Sequence, residues 1–395
     1  MSVTYPSGFR AAGVTAGLKN SGRPDLALLV AGDVCSVAGL FTTNRFAAAP
    51  VLLSRDRLQK GTARAVLVNS GQANAGTGAV GDEDALAATA VAAEALGVDA
   101  ETVLACSTGV IGERLDLAKI RAALPALVAG LSEEGGTAFA EAIMTTDTVG
   151  KEAHADAGPF RCGGAAKGVG MIEPDLATML AFITTDASAS PEALCDLAVE
   201  VVAPAFESLT VDGCTSTNDA ALVFASGKAG GHPVAAGTPE WEALARGLSE
   251  VAGSLVLQLA ADGEGATHVL AIEVEGATTD REARAVAKAL ANSPLVKAAA
   301  FGGDPNPGRI LQAIGSAGVE FEPSAVQAWI GEVLVMDAGA IAANYAAAVR
   351  KLAEDAMKQS QIRYRVSLGG GHGKGRAVGC DLGYDYVKIN AEYTN

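Results

Sequence analysis

Residues 163–182 read GGAAKGVGMIEPDLATMLAF, and this stretch decides how the chain is read. Its glycines punctuate a loop that runs to Pro174, and an apolar run, residues 178–185 (TMLAFITT), follows as a buried strand. Between loop and strand lies the Ala177-Thr178 junction. A turn that leads into a core strand needs no further chemistry. The same residues also suit an autocatalytic nucleophile. The Thr178 hydroxyl would attack the Ala177 carbonyl carbon, the amide would become an ester, and water would cut it. Thr178 would then carry a hydroxyl and a free α-amine. That amine, with an ordinary pKa of about 8, can serve as the adjacent base that a weak threonine nucleophile needs.

Composition narrows the setting. With 395 residues the chain can form two or three domains. It is 49% apolar but only 5% aromatic, and its glycines show no three-residue period. That excludes disordered and collagen-like chains and points to small, closely packed elements. A net charge of −16 argues against nucleic-acid or anionic-membrane partners, which need clustered Lys and Arg. No apolar run approaches the roughly 18 residues of a membrane span. The opening MSVTYPSGFRAAG has neither a basic n-region nor an apolar h-region, so the expected location is the cytoplasm. Six scattered cysteines without a C-x-x-C pair read as reduced, buried small residues. None of the four histidines is spaced for a shared metal, there is no H-E-x-x-H, and no metal site is expected. A G-x-S-x-G elbow is absent too, which lowers the case for an ordinary serine hydrolase.

Strands are expected at 25–41, 64–69, 178–185 and 267–275, and near 385–390. Helices are expected from Asp82 to Gly97, with Asp82, Glu83 and Asp84 in the first turn, and at 115–130, 133–145, 239–252 and 280–291. Ser190 with Pro191 starts another helix, and Thr279 with Glu282 fits a capping box. The turn Gly276-Ala277-Thr278 is the best candidate boundary between domains.

Several other segments have the composition of a site. In 106–112 (CSTGVIG), Thr108 supplies a hydroxyl and Gly109 a backbone N–H that together could hold an oxyanion; otherwise this is a simple turn. In 262–266 (DGEGA), Glu264 sits between glycines, where a carboxylate is either solvated or binds an ammonium group. Thr145-Thr146-Asp147-Thr148 is a hydroxyl cluster at an expected helix end, and Asn390 lies close to the chain end. The run 369–375 (GGGHGKG) invites a phosphate-loop reading. It fails the required spacing, because Lys374 is followed by Gly375 and not by Ser or Thr.

Taken together the chain resembles the ornithine acetyltransferase family, the glutamate N-acetyltransferases of arginine biosynthesis. The resemblance rests on FTTNRFAAAPV (41–51), NSGQANAGTG (69–78), STGVIGE (107–113), MTTDT (144–148) and GGAAKGVGMIEPDLATMLAF (163–182). It continues through TVDGCTSTND (210–219), DGEGAT (262–267), GGDPNPGRI (302–310) and GCDLGYDYVKINAEY (379–393). Nine such stretches in one order are highly specific.

The resemblance implies an α/β fold, a layered α/β/β/α sandwich of the self-processing aminopeptidase and ornithine acetyltransferase type. The main domain would span about 1–277. A smaller C-terminal α/β domain would span about 278–395, its tail returning to the active site. It implies a precursor that cuts itself between Ala177 and Thr178 into chains 1–177 and 178–395, assembled as an α2β2 heterotetramer. Thr178 would be the nucleophile and a substrate contact, and Thr108 and Gly109 the oxyanion hole. Thr145, Lys167, Glu264, Asn390 and the terminal residue, Asn395, would line the substrate site. Lys167 suits either the substrate α-carboxylate or the scissile loop. The implied reaction passes an acetyl group from N2-acetylornithine to Thr178 and then to glutamate, with no cofactor; acetyl-coenzyme A is a further candidate donor. The chain departs from the family at Asn395, where Ser or Thr is usual, at Gly76 and Pro307, and in the glycine-rich 369–375. The rival reading is an aminopeptidase or amidase of the same nucleophile type that hands the acyl group to water.

Overall fold

The computed structural model describes residues 2–173 and 179–392. Ala177, Thr178 and Asn395 lie outside the described residues. The chain divides into two compact units. Among the described residues, the first comprises those up to Glu207 and Thr215–Leu259, and the second Ser208–Cys214 and Ala260–Glu392. The division therefore falls at 259/260, and the turn Gly276-Ala277-Thr278 lies inside the second unit.

The first unit holds β1 (Phe9–Val14), β2 (Leu26–Phe41), β3 (Thr62–Gln72), β4 (Val103–Val110), β5 (Lys151–Ala157), β6 (Phe160–Lys167), β7 (Leu180–Thr185) and β8 (Ala220–Ala225). Its helices are α1 (Ala49–Arg57), α2 (Gly78–Leu96), α3 (Leu117–Ala129), α4 (Gly136–Ala142), α5 (Pro191–Leu197), α6 (Ala203–Glu207) and α7 (Pro239–Ala261). Strand order is β4-β3-β2-β8-β7-β6-β5, with β1 also on β2. The long β2 changes partners midway. Its first half runs between β1 and β3, its pairing with β3 is interrupted between Val30 and Cys35, and its last six residues pair with β8. A bulge there bends the strand and lets one sheet fold into two layers.

Side-chain alternation fits this account. Along β2, Ala27, Leu29 and Ala31 join a core with Val66, Leu104, Phe182, Leu222 and Phe224, drawn from strands of both halves of the sheet, and with Phe139 of α4. The intervening Leu26, Leu28 and Val30 pack instead with Ala88, Ala92, Ile120 and Leu124 of α2 and α3. On the far layer, a Cβ added to Gly164 would come within 2.7 Å of Val251 on α7. Helix, sheet, sheet and helix thus stack in that order, the layered sandwich expected.

The glycines of 163–167 were expected in a loop but lie in β6. Their role is close packing: a Cβ at Gly163 would sit 2.2 Å from the Ser2 carbonyl oxygen. Helix α2 starts at Gly78, so Asp82, Glu83 and Asp84 fall beyond its first turn, and Asp84 is buried against Arg114 at 2.8 Å. Cys195 and Cys214 are exposed, against expectation, while the other four cysteines are buried.

The second unit is a six-stranded sheet, β12-β11-β10-β13-β9-β14. Its strands are β9 (Val269–Ala277), β10 (Gln327–Ile330), β11 (Val333–Asp337), β12 (Ala340–Ile341), β13 (Gln361–Ser367) and β14 (Gly373–Cys380). Its helices are α8 (Asp280–Asn292), α9 (Pro294–Phe301), α10 (Pro307–Gly315), α11 (Ala347–Ala356) and α12 (Tyr384–Glu392). The Thr279–Glu282 capping box is present and starts α8. The 369–375 run explains itself here: Cβ atoms at Gly373 and Gly375 would lie 2.4 Å and 2.3 Å from the backbone at Thr279 and around Ala283–Arg284. These glycines let β14 approach α8. Residues 385–390, expected as a strand, are helical. Tyr384 and Val387 of this helix are exposed rather than packed in a sheet.

Candidate active site

Three segments of the first unit converge on Lys167, the last residue of β6. β5 and β7 flank that strand, so Lys151 opposes Ala166 and Lys167 opposes Leu180. The loop before β5 carries Asp147, whose Oδ1 accepts from Lys151 Nζ at 2.6 Å and from the Gly168 N–H at 2.8 Å. Its Oδ2 accepts from the Thr145 N–H at 2.9 Å. Asp147 and Lys151 are both fully buried. Burial alone would raise the Asp147 carboxyl, but the charges of Lys167 and Lys151 and the Thr145 N–H outweigh it and bring it down to about 2. Asp147 is therefore a fixed anion that ties the 145–148 loop to the first residue after β6.

Lys167, only 9% exposed, reaches the Thr108 hydroxyl with Nζ–Oγ1 at 3.1 Å. An ammonium has no acceptor, so the threonine oxygen accepts and its own hydrogen is left to point elsewhere. That leaves a hydroxyl donor beside Gly109. Gly109 sits at the end of β4, where the register with β3 shifts around Gly71 and Gln72, so a bulge re-aims the strand end. Its φ is +126°, and a Cβ there would lie 2.3 Å from the Gly71 carbonyl carbon. Only glycine fits. A hydroxyl and a backbone N–H held by a bulge form a donor pair suited to an oxyanion.

The motifs around this pair are its frame. Ser107 Oγ donates to Asn69 Oδ1 at 2.6 Å, and Asn218 Nδ2 donates to the Ala73 and Ser107 carbonyls at 2.6 Å and 2.9 Å. NSGQANAG and TSTND thereby lock the ends of β3 and β4. Beside them Asp219 is buried, and burial holds its carboxyl well above the usual range against the pull of Ser216 and Lys167.

The structure thus joins Thr108, Gly109, Thr145 and Lys167 in one neighbourhood. Glu264 and Asn390 belong to the second unit, where Asn390 Nδ2 donates to Glu264 Oε2 at 2.8 Å. Asp147, Lys151 and Asp219 were not expected as site residues. The hydroxyl cluster at 145–148 and the TSTND motif contained two of them, but nothing in the sequence marked those carboxyls as buried.

The ArgJ family model matches residues 10–395. The arginine biosynthesis bifunctional protein ArgJ of Thermosynechococcus vestitus is 48% identical over 408 residues, covering 99% of this chain and 97% of that protein. Its namesake from Synechocystis sp. is 45% identical, covering 100% of this chain and 98% of that protein. Among solved structures, the ornithine acetyltransferase complexed with ornithine from Mycobacterium tuberculosis is 43% identical, with a TM-score of 0.41, covering 45% of this chain and 96% of its own. With relatives nearly half identical along their whole length and a family match over almost every residue, the chain belongs to the ArgJ family.

Proposed function

We propose that the protein is an acyltransferase of arginine biosynthesis that moves an acetyl group from N2-acetyl-L-ornithine to L-glutamate. The chain cuts itself between Ala177 and Thr178, and Thr178 then carries the acetyl group as an ester. An ester intermediate divides one difficult amide exchange into two easier steps. Family membership supports the reaction. The observation that carries the mechanism is the Lys167–Thr108 contact, which leaves the Thr108 hydroxyl free to donate, beside the glycine N–H of a strand bulge.

In the first step the Thr178 α-amine takes the hydroxyl proton while the oxygen attacks the acetyl carbonyl. Thr108 and Gly109 hold the oxyanion, and ornithine leaves as the amine. In the second step the amine of glutamate attacks the ester and regenerates the hydroxyl. Thr145, Lys167, Glu264, Asn390 and Asn395 are proposed substrate contacts, with Glu264 suited to the cationic side chain of ornithine. No cofactor takes part, and acetyl-coenzyme A is proposed as a second acetyl donor. The mature protein is proposed to be an α2β2 assembly in the cytoplasm.

A denaturing gel of the purified protein tests the cleavage. Two bands are expected, one with the N-terminal sequence Thr-Met-Leu, and Thr178→Ala should stay whole and inactive. A single full-length band with activity intact would overturn this reading. Incubation with acetylornithine tests the transfer: beyond a burst of one equivalent per active site, ornithine should appear only when glutamate is present. Release that ignores glutamate would indicate a hydrolase.

A further inference from the structure

Residues 16–19 close over the end of β3. Asp25, fully buried, accepts the Ala16 N–H on Oδ1 and the Leu18 and Lys19 N–H groups on Oδ2, the last at 2.9 Å. Its backbone ties the same loop to two strands: the Asp25 N–H donates to the Val14 carbonyl, and its carbonyl accepts from the Ser70 N–H, each at 2.9 Å. The loop is thereby fixed against Gly71. There φ is +122°, and a Cβ would lie 3.0 Å from the Leu18 carbonyl oxygen and 3.2 Å from Lys19 Cγ. Gly71 in turn pairs with Gly109. The Lys19 stem thus lies one residue away from the backbone donor of the oxyanion pair.

Lys19 is half-buried, and its Nζ donates to the Pro24 carbonyl at 2.7 Å. An ammonium has three hydrogens to give, so two remain for another acceptor. Among the described residues its hydrogen bond goes to a neutral carbonyl and not to a carboxylate. Burial lowers it to about 8, while the charges of Asp25, Lys167 and Asp147 also act on it, so it is still a cation at neutral pH. Both of those anions are already engaged. Asp25 holds three backbone N–H groups, and Asp147 holds Lys151 and the N–H groups of Thr145 and Gly168. A partly desolvated charge without a bonded counter-ion costs stability, so its place beside the oxyanion pair calls for an anion from outside the chain.

We propose that Lys19 binds the α-carboxylate common to N2-acetylornithine and glutamate, as a second cation of the site beside Lys167. The inference rests on the acetyl transfer proposed above. In acetylornithine the α-carboxylate carbon stands three bonds from the acetyl carbonyl carbon, which limits their separation to about 4 Å. An oxyanion held by Thr108 and Gly109 therefore brings the carboxylate to the same strand ends, within reach of a flexible lysine stem. Lys167 gives a hydrogen to Thr108 and acts on Asp147, so its part is in the donor pair and the 145–148 loop. Lys19 brings a charge that no carboxylate of the described chain pairs. The same anion enters twice, first on the donor and then on the acceptor, so one cation serves both half-reactions.

The test compares acetylornithine with its α-carboxamide, which keeps the shape and loses the charge, on wild type, Lys19→Met and Lys19→Arg. Wild type should prefer the acid in kcat/KM by about tenfold to a hundredfold, the range of a hydrogen bond to a charged group. Lys19→Met should lose that preference by slowing the acid and not the amide, and Lys19→Arg should keep most of it. Each ratio is taken on one protein sample, so it does not depend on how much of a variant is folded. For glutamate as acceptor, kcat/KM should fall in Lys19→Met by a similar factor. A Lys19→Met enzyme that keeps the wild-type preference, that loses acid and amide alike, or that leaves glutamate unaffected would overturn the proposal while leaving the acetyl transfer in place. A wild-type enzyme that releases no ornithine from acetylornithine would instead overturn the transfer reading, and this proposal with it.

Discussion

Lys167 Nζ lies 3.1 Å from Thr108 Oγ1, although their strands, β6 and β4, stand five steps apart in the sheet order. Neighbouring strands are about 4.8 Å apart, so five steps across a flat sheet would span roughly 24 Å. The contact exists because β2 turns at its irregular pairing between Val30 and Cys35 and lays one half of the sheet over the other. The bend thus assembles the site, since it brings a cation from one layer to a hydroxyl from the other.

Thr108→Val should test this pair directly. Valine keeps the volume and removes the donor. If Thr108 holds the oxyanion, kcat should fall by about a hundredfold to a thousandfold with little change in the KM for acetylornithine. Thr108→Ser should keep most of the activity. Steady-state kinetics that show a rise in KM alone would assign Thr108 to substrate binding.

Gly109→Ala should be worse for the protein than for any single step of the reaction. The new methyl would meet the Gly71 carbonyl carbon at 2.3 Å, in a backbone region that alanine adopts at a cost of about 1–3 kcal/mol. The strand end must shift, taking the N–H with it. The melting temperature should drop by several degrees and activity should be lost together with it. Calorimetry and an acetyl-transfer assay on the same sample check both.

Asp147 predicts an acid limb of stability. Its carboxyl titrates at about 2 in the folded protein, below the ordinary value of 3.8. A lowered carboxyl stabilises the fold above its ordinary value, and that contribution drains away as pH falls from about 4 towards about 2. The shift corresponds to roughly 2 kcal/mol. Asp147→Asn should cost more than this at neutral pH, about 3–5 kcal/mol, because Lys151 would stay buried without its carboxylate. Urea unfolding at several pH values should show the gap between wild type and variant narrowing in acid. A constant gap would mean that the charge of Asp147 is not what stabilises the loop.

Strands such as 180–185 and 220–225 are continuous apolar runs, so their place in the core was legible from hydrophobic pattern alone. The fold-over was not, because it depends on a partner exchange within β2 that leaves no local mark beyond three exposed residues, Gly32–Val34. The glycines of 163–167 misled for a physical reason: glycine signals a turn when it supplies backbone freedom and a packed strand when it supplies room, and composition does not separate the two. Thr108 and Lys167 were found through the motifs that hold them. Asp219 was inside a quoted motif, but a buried acid and a solvated one are the same letter.

Glu264 offers a prediction about charge selection. Asn390 donates to its Oε2 at 2.8 Å and to the Tyr386 carbonyl at 3.0 Å, so one amide group orients the carboxylate from α12. Glu264→Gln keeps the size and removes the charge. If the carboxylate meets the cationic side chain of ornithine, the KM for acetylornithine should rise about tenfold to a hundredfold, the range of a hydrogen bond to a charged group. Glutamate has no such cation, so its KM should stay within a few-fold of wild type. That asymmetry separates recognition from structure, because a residue that merely braces the loop would move both constants together. Asn390→Ala should act in the same direction and more weakly, since it removes one orienting contact without discharging the carboxylate. Equal KM shifts for the two substrates in both variants would assign Glu264 to the loop and leave the cation to another group.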